Sequence, residues 1–134
     1  MEEAGMFRAW DVSSSGMDAQ WARMEVVANN IANAETTRTP GGGPYRRQQI
    51  VFRTVMNEMA GVRVGGVQPS GTPLKTVYQP GHPDADGDGN VQMPNVNLPQ
   101  EMVQMSSACR AYRANMTAAR ALREMCLEAI KLIG

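Results

Sequence analysis

Residues 98–133 read LPQEMVQMSSACRAYRANMTAARALREMCLEAIKLI, and this stretch decides the fold. Leu98, Met102, Met105, Cys109, Tyr112, Met116 and Ala119 recur at alternating steps of four and three. That spacing predicts one α-helix with an apolar stripe along one face. Arg123 interrupts the stripe, which resumes on Leu122, Cys126, Ala129 or Ile130, and Ile133. Asn97 with Gln100 reads as an N-cap and its partner three residues on, and Pro99 suits the first turn. A helix from Leu98 to Ile133 would be about 54 Å long. So long a helix cannot be wrapped by its own chain of 134 residues. It needs another long helix beside it, and more beyond that one.

The other end of the chain supplies a candidate. Trp10, Ser14, Met17, Trp21, Met24, Ala28 and Ile31 repeat with the same alternation, and Val27 widens the stripe. Gly16 interrupts helix propensity, and Asn33 or the Thr36-Thr37 pair marks a place for this helix to end. Six acids against Arg8 and Arg23 make residues 1–35 net acidic. Arg110, Arg113, Arg120, Arg123 and Lys131 against three acids make residues 98–134 net basic. Opposite-sign helices attract weakly, although two solvated faces would carry the same charges.

All eight prolines fall between Pro40 and Pro99, so the middle is irregular. Tyr45–Arg53, Val62–Val67 and Leu74–Tyr78 are candidate strands, punctuated by Gly61, Gly65-Gly66, Gly71 and Pro73. The expected fold is α+β: two long terminal helices, residues 1–37 and 98–134, forming an antiparallel coiled-coil-like core. Residues 38–97 form a small β-rich middle. Val, Ile, Leu and Phe are only 23 of the 134 residues, and Met (11) and Ala supply much of the rest. Flanking residues such as Val26, Val27, Leu122, Leu127 and Leu132 are expected to stay wet in a lone molecule.

The chemistry is sparse. Thirteen basic and thirteen acidic residues leave no net charge, which argues against a general nucleic-acid or anionic-membrane binder. No stretch approaches the length of a membrane span. The acidic opening, Glu2-Glu3, predicts no cleavable signal. One histidine, His82, makes a catalytic triad or a multi-histidine metal site a poor reading, and no cofactor loop is marked. Cys109 and Cys126 would lie roughly 25 Å apart on one helix, too far to bridge.

Asp84-Ala85-Asp86-Gly87-Asp88-Gly89 resembles the start of a calcium loop, but Asn95 replaces its closing glutamate. An Asp/Gly turn between strands is the favoured reading, with weak cation binding by Asp84, Asp86 and Asp88 the alternative. His82 reads as a turn residue, Gly41-Gly42-Gly43 as a flexible turn, and Arg46-Arg47 as surface pairing. The Met-rich stripe reads as packing. Asn29, Asn30 and Asn33 fit either a fraying helix end or amides that pair across a helix contact and fix register.

Three blocks together resemble the bacterial flagellar basal-body rod proteins of the proximal type. The first runs from Ser15-Gly16-Met17 through NNIANAETTRT (residues 29–39), and the second is GGPYRRQ (42–48). The third is PGHPDAD (80–86) with GNVQMPNVN (89–97), followed by Glu101-Met102-Val103 and RAYRAN (110–115). Asn90 stands where the family usually places an aromatic.

The resemblance implies a structural protein, not an enzyme, whose terminal helices pack into a helical tube that transmits torque. It implies export through the flagellar type III apparatus and a place in the periplasmic rod. The implied partners are copies of the chain, other rod subunits and export-gate or adapter proteins. It implies no cofactor and no nucleic acid. The helix residues expected at subunit contacts are Trp10, Met17, Trp21, Met24, Val27, Ala28, Asn29, Asn30, Ile31 and Asn33. On the second helix they are Met102, Met105, Cys109, Tyr112, Asn115, Met116, Leu122, Cys126 and Ile130. Another axial subunit, of rod or hook, is the alternative within this class.

Overall fold

The computed structural model describes residues 2–56 and 61–134. Helix α1 spans Glu2–Ala32 and α2 spans Leu98–Ile133. Between them lie β1 (Gln48–Val55), β2 (Gly61–Pro69), β3 (Lys75–Tyr78) and β4 (Asn90–Met93). The fold is therefore α+β, with long helices at both ends.

The bounds of α2 are those its capping residues predict. The Asn97 side chain accepts from the Gln100 N–H, Pro99 sits in the first turn, and the Gly134 N–H returns to the Ile130 carbonyl. Helix α1 stops at Ala32, before the Thr36-Thr37 pair. There Asn33 turns back, its Nδ2 donating to the Asn29 carbonyl at 2.8 Å. The fraying reading thus describes Asn33.

β1 and β2 form an antiparallel hairpin, from Gln48 opposite Pro69 to Val55 opposite Gly61. The register slips between Val51 and Phe52, which face Gly66 and Val64. Gly65 is the extra residue, and a side chain there would run into Arg53. Gly66 takes a φ of 146°, which favours glycine. Strand β1 starts three residues later than expected, because Tyr45 and Arg47 are used elsewhere.

β3 and β4 form a second antiparallel pair, and residues 79–89 connect them as the expected Asp/Gly turn. β4 was not anticipated: only Val91 in it is a strong strand former, and the alternation is too short to read. Asn90 pairs there with Tyr78.

The helices run antiparallel. Asn30 of α1 meets Glu101 of α2, Arg23 meets Gln104, and Gly16 meets Asn115. The hairpin covers one side of α1, where the Val62 N–H donates to Ser15 Oγ at 3.2 Å. Val26, Val27, Ile50 and Phe52 line a cavity of about 390 Å³ at that junction.

The buried apolar residues are few and mostly small: Ala19, Val27, Val91, Val96, Ala108 and Ala119. The chain exposes 9494 Å². A compact monomer of 14.6 kDa exposes about 6,900 Å². The excess, roughly 2,600 Å², belongs to a slender molecule with little private core.

Candidate subunit interface

The contact between the helices uses part of the expected stripe: on α2 it takes in Met105, Tyr112, Ala119, Leu122 and Cys126, while on α1 it lies beside the stripe. On α1 it runs through Ser13, Gly16, Gln20, Arg23, Val27 and Asn30. Of these Ser13, Val27 and Asn30 are buried. On α2 it runs through Glu101, Met105, Ala108, Tyr112, Asn115, Ala119, Leu122 and Cys126. Both lines alternate steps of four and three, so each is a regular helix face. The line on α2 passes through Ala119, Leu122 and Cys126 without a break, and Arg123 lies outside it. Small residues allow close approach. At Gly16 an added Cβ would lie 2.8 Å from the Asn115 amide.

On α1 the expected stripe is set one residue around the helix from this seam, at Trp10, Met17, Trp21, Met24 and Ile31. On α2 the expected residues divide: Met105, Tyr112, Ala119, Leu122 and Cys126 lie on the seam, and Met102, Cys109, Met116 and Ile130 lie beside it. The two stripes meet on one side of the helix pair. Cys109 Sγ lies 3.4 Å from Met24 Sδ, and the Trp21 and Tyr112 ring centroids are 6.2 Å apart. This side is opposite the hairpin, and it is bare. Trp10 is 43% exposed, Trp21 57%, Met102 59% and Ile130 65%. Met17, Met24, Ile31, Met105, Cys109, Tyr112, Asn115, Met116, Leu122 and Cys126 are half-buried, while Ala28 and Asn29 are exposed. Of the flanking residues expected to stay wet, Leu127 and Leu132 are exposed. Val27 is instead buried, because the hairpin closes over it.

A polar cluster fixes one end of the pair. Asn30 is fully buried, and its Oδ1 accepts from the Gln48 N–H and the Tyr45 hydroxyl, both at 2.9 Å. Its Nδ2 donates to the Gln48 carbonyl at 2.8 Å and to Glu101 Oε2 at 3.3 Å. The amide thus imitates a neighbouring strand to the first residue of β1 while touching α2. Asn30 is the one of the three asparagines whose amide pairs across the helix contact. Glu101 is also fully buried, and Arg47 donates to its Oε1. Arg47 thus serves a buried ion pair rather than the expected surface pairing.

Asn95 Oδ1 accepts from the Arg47 N–H at 2.7 Å, and its Nδ2 donates to the Thr72 carbonyl at 2.8 Å. Burial, and then the charge of Glu101, push the Tyr45 hydroxyl above its ordinary value of 10.0. Among the described residues every buried side-chain polar atom in a non-exposed residue has a partner. The roles of Tyr45, Gln48, Asn95 and Glu101 escaped the sequence reading. The only hint was that Glu101 sits in a helix's first turn, where acids are ordinary anyway.

The Asp/Gly turn is engaged with its own chain. Thr37 donates to Asp84 Oδ2 at 2.7 Å, and Arg38 pairs with Oδ1. These bonds, Thr37 first, hold the Asp84 carboxyl below its ordinary 3.8. Asp86 Oδ1 accepts from the Asp88 and Asn90 N–H groups. His82 Nδ1 accepts from the Asp84 N–H at 3.0 Å, a turn role. Among the described residues no three His, Cys, Asp or Glu side chains converge as a metal site. Cys109 and Cys126 are unbridged.

The geometry thus describes a long, thin helix pair with one side covered by the hairpin and an apolar side opposite it. The family model for the flagella basal body rod protein matches residues 11–38. That for the C-terminal part of flagellar basal body rod FlgEFG proteins matches residues 88–132. The flagellar basal-body rod protein FlgC of Borreliella burgdorferi is 42% identical, over 96% of this chain and 98% of its own. FlgC of Salmonella typhimurium is 39% identical over 95% and 97%, and FlgC of Bacillus subtilis 34% identical over 94% and 97%. The chain belongs to the FlgC family of flagellar basal-body rod proteins. Its function is that of a structural proximal rod subunit, not an enzyme, and its place is the flagellar basal body.

Proposed function

We propose that the bare apolar side of the helix pair is the surface by which this subunit packs against its neighbours in the rod. The contact residues are Trp10, Met17, Trp21, Met24 and Ile31 on α1 and Met102, Cys109, Met116 and Ile130 on α2. The neighbours are copies of the chain and other rod subunits, with export-gate or adapter proteins at the base. Repeated contacts of this kind build a helical tube in the periplasm that carries torque, and the chain reaches it through the flagellar export apparatus.

One observation supports this reading above the others. Beside the seam within the molecule stands a second apolar side, on which Trp10, Trp21, Met102 and Ile130 are exposed and Met17, Met24, Ile31, Cys109 and Met116 half-buried. Burying them is worth about 25 cal/mol per Å² of apolar surface. The excess surface of the lone chain is of the size that obligate interfaces cover.

The test is complementation of a flagellated host that lacks its own FlgC. The wild-type chain restores rods visible by electron cryotomography. The Trp21→Gln/Met102→Gln variant does not, while its purified form keeps the wild-type helix signal in circular dichroism. Rods restored by a well-folded double variant would show that this side is not the interface.

A further inference from the structure

The charges on the two helices are sorted by edge. Asp11, Asp18 and Glu25 are exposed and recur every seven residues, so they line α1 along the edge turned away from α2. Arg110, Arg113 and Arg120 are exposed on α2, along the edge turned away from α1. Glu124 and Glu128 close that basic patch at its C-terminal end. Among the described residues the ion pairs are Arg38–Asp84 and Arg47–Glu101, so none of the edge charges is paired within the chain.

The two edges also match in height. The register that sets Gly16 against Asn115 and Asn30 against Glu101 sets Asp11 level with Arg120 and Asp18 level with Arg113. These charges stand on opposite outer edges of one molecule and cannot meet within it. They meet when a second copy lies alongside in the same orientation and at the same height. The α1 of one copy then runs antiparallel to the α2 of the next, as it does to its own.

We propose that copies of this chain associate side by side in this way, the acidic edge of α1 docking on the basic edge of α2 of the next copy. The inference rests on the reading of the chain as a self-packing rod subunit, and adds which edges meet and in which sense. The contact is heterologous: every copy offers one acidic and one basic edge, so a row of copies has a direction and continues. The apolar side remains open to other neighbours.

Sedimentation velocity of the purified full chain tests this. The wild-type chain associates at about 0.05 M salt, and association weakens roughly tenfold at about 0.5 M, because exposed pairs are screened. Asp18→Arg and Arg113→Glu chains each stay monomeric where the wild type associates, since each opposes like charges. Mixed together they associate again, because either variant's altered edge complements the other's. Asp11→Arg with Arg120→Glu repeats the test at the second level, with circular dichroism confirming each fold.

Salt-independent association, or mixtures that stay monomeric, would overturn the edge pairing. A wild-type chain that is monomeric at every salt concentration overturns it too. Those outcomes leave the apolar interface standing, since it is read separately from rods in cells.

Discussion

Asn30 concentrates more structural information than any other residue. Its amide satisfies both backbone groups of Gln48 and faces Glu101 and Tyr45. Replacing it by Ala strands several buried partners at once, and each stranded group costs about 1–3 kcal/mol. Asn30→Ala is expected to lower stability by about 3 kcal/mol. Asn30→Asp is expected to cost more, since a carboxylate would then face the buried carboxylate of Glu101. Urea unfolding of both variants measures this as a fall in midpoint with an unchanged slope.

Asp84 carries a prediction about pH. Its folded carboxyl titrates below the ordinary 3.8, so its contribution is complete above that value and lost as pH falls through the folded-state value. The gap in urea midpoint between the wild type and Asp84→Asn is expected to be open at neutral pH and to close in acid. A gap that does not shrink at all as the pH is taken well below 3.8 would contradict the assignment.

Among the elements, the helices were legible in the sequence to different depths. The ends of α2 were readable because Asn97, Gln100 and Pro99 act locally. The face it turns to α1 was half readable: Met105, Tyr112 and Ala119 of the expected stripe lie on the seam, while Met102, Cys109 and Met116 lie beside it. Large residues such as Trp21, Met24 and Met102 mark the most apolar side of a helix. Nothing in their spacing tells whether that side meets its own partner helix or another molecule. The other members of the seam, such as Ser13, Gly16, Ala108 and Asn115, are small or polar, and residues of this kind occur on every face of both helices. Glu101 was hidden for a related reason, since its burial depends on Arg47 arriving from another element.

Gly16 makes the seam testable. In a helix interior Ala is favoured over Gly by about 1 kcal/mol. Here the new methyl meets the Asn115 amide. Gly16→Ala alone is expected to gain little or to lose stability. In an Asn115→Ala background it is expected to recover the full gain. A double-mutant cycle from thermal unfolding measures the coupling, expected at about 0.5–1 kcal/mol. Additive effects would mean that the helices do not approach closely at this level.

Taken whole, the molecule is held unevenly along its length. The buried cluster of Asn30, Glu101, Arg47 and Tyr45 joins three elements at one end of the helix pair. At the other end Met6 lies against Cys126, and Phe7, Ile130 and Leu132 lie exposed. The lone chain is therefore expected to behave like a tuning fork gripped at its base. Amide hydrogen exchange is expected to quicken progressively from Asn30 back toward Phe7 and from Glu101 on toward Leu132. Uniform protection along both prongs would refute this. Subunits packed along the prongs as proposed would silence them one by one, and the stiffness of the shaft would be a property each copy acquires from its companions.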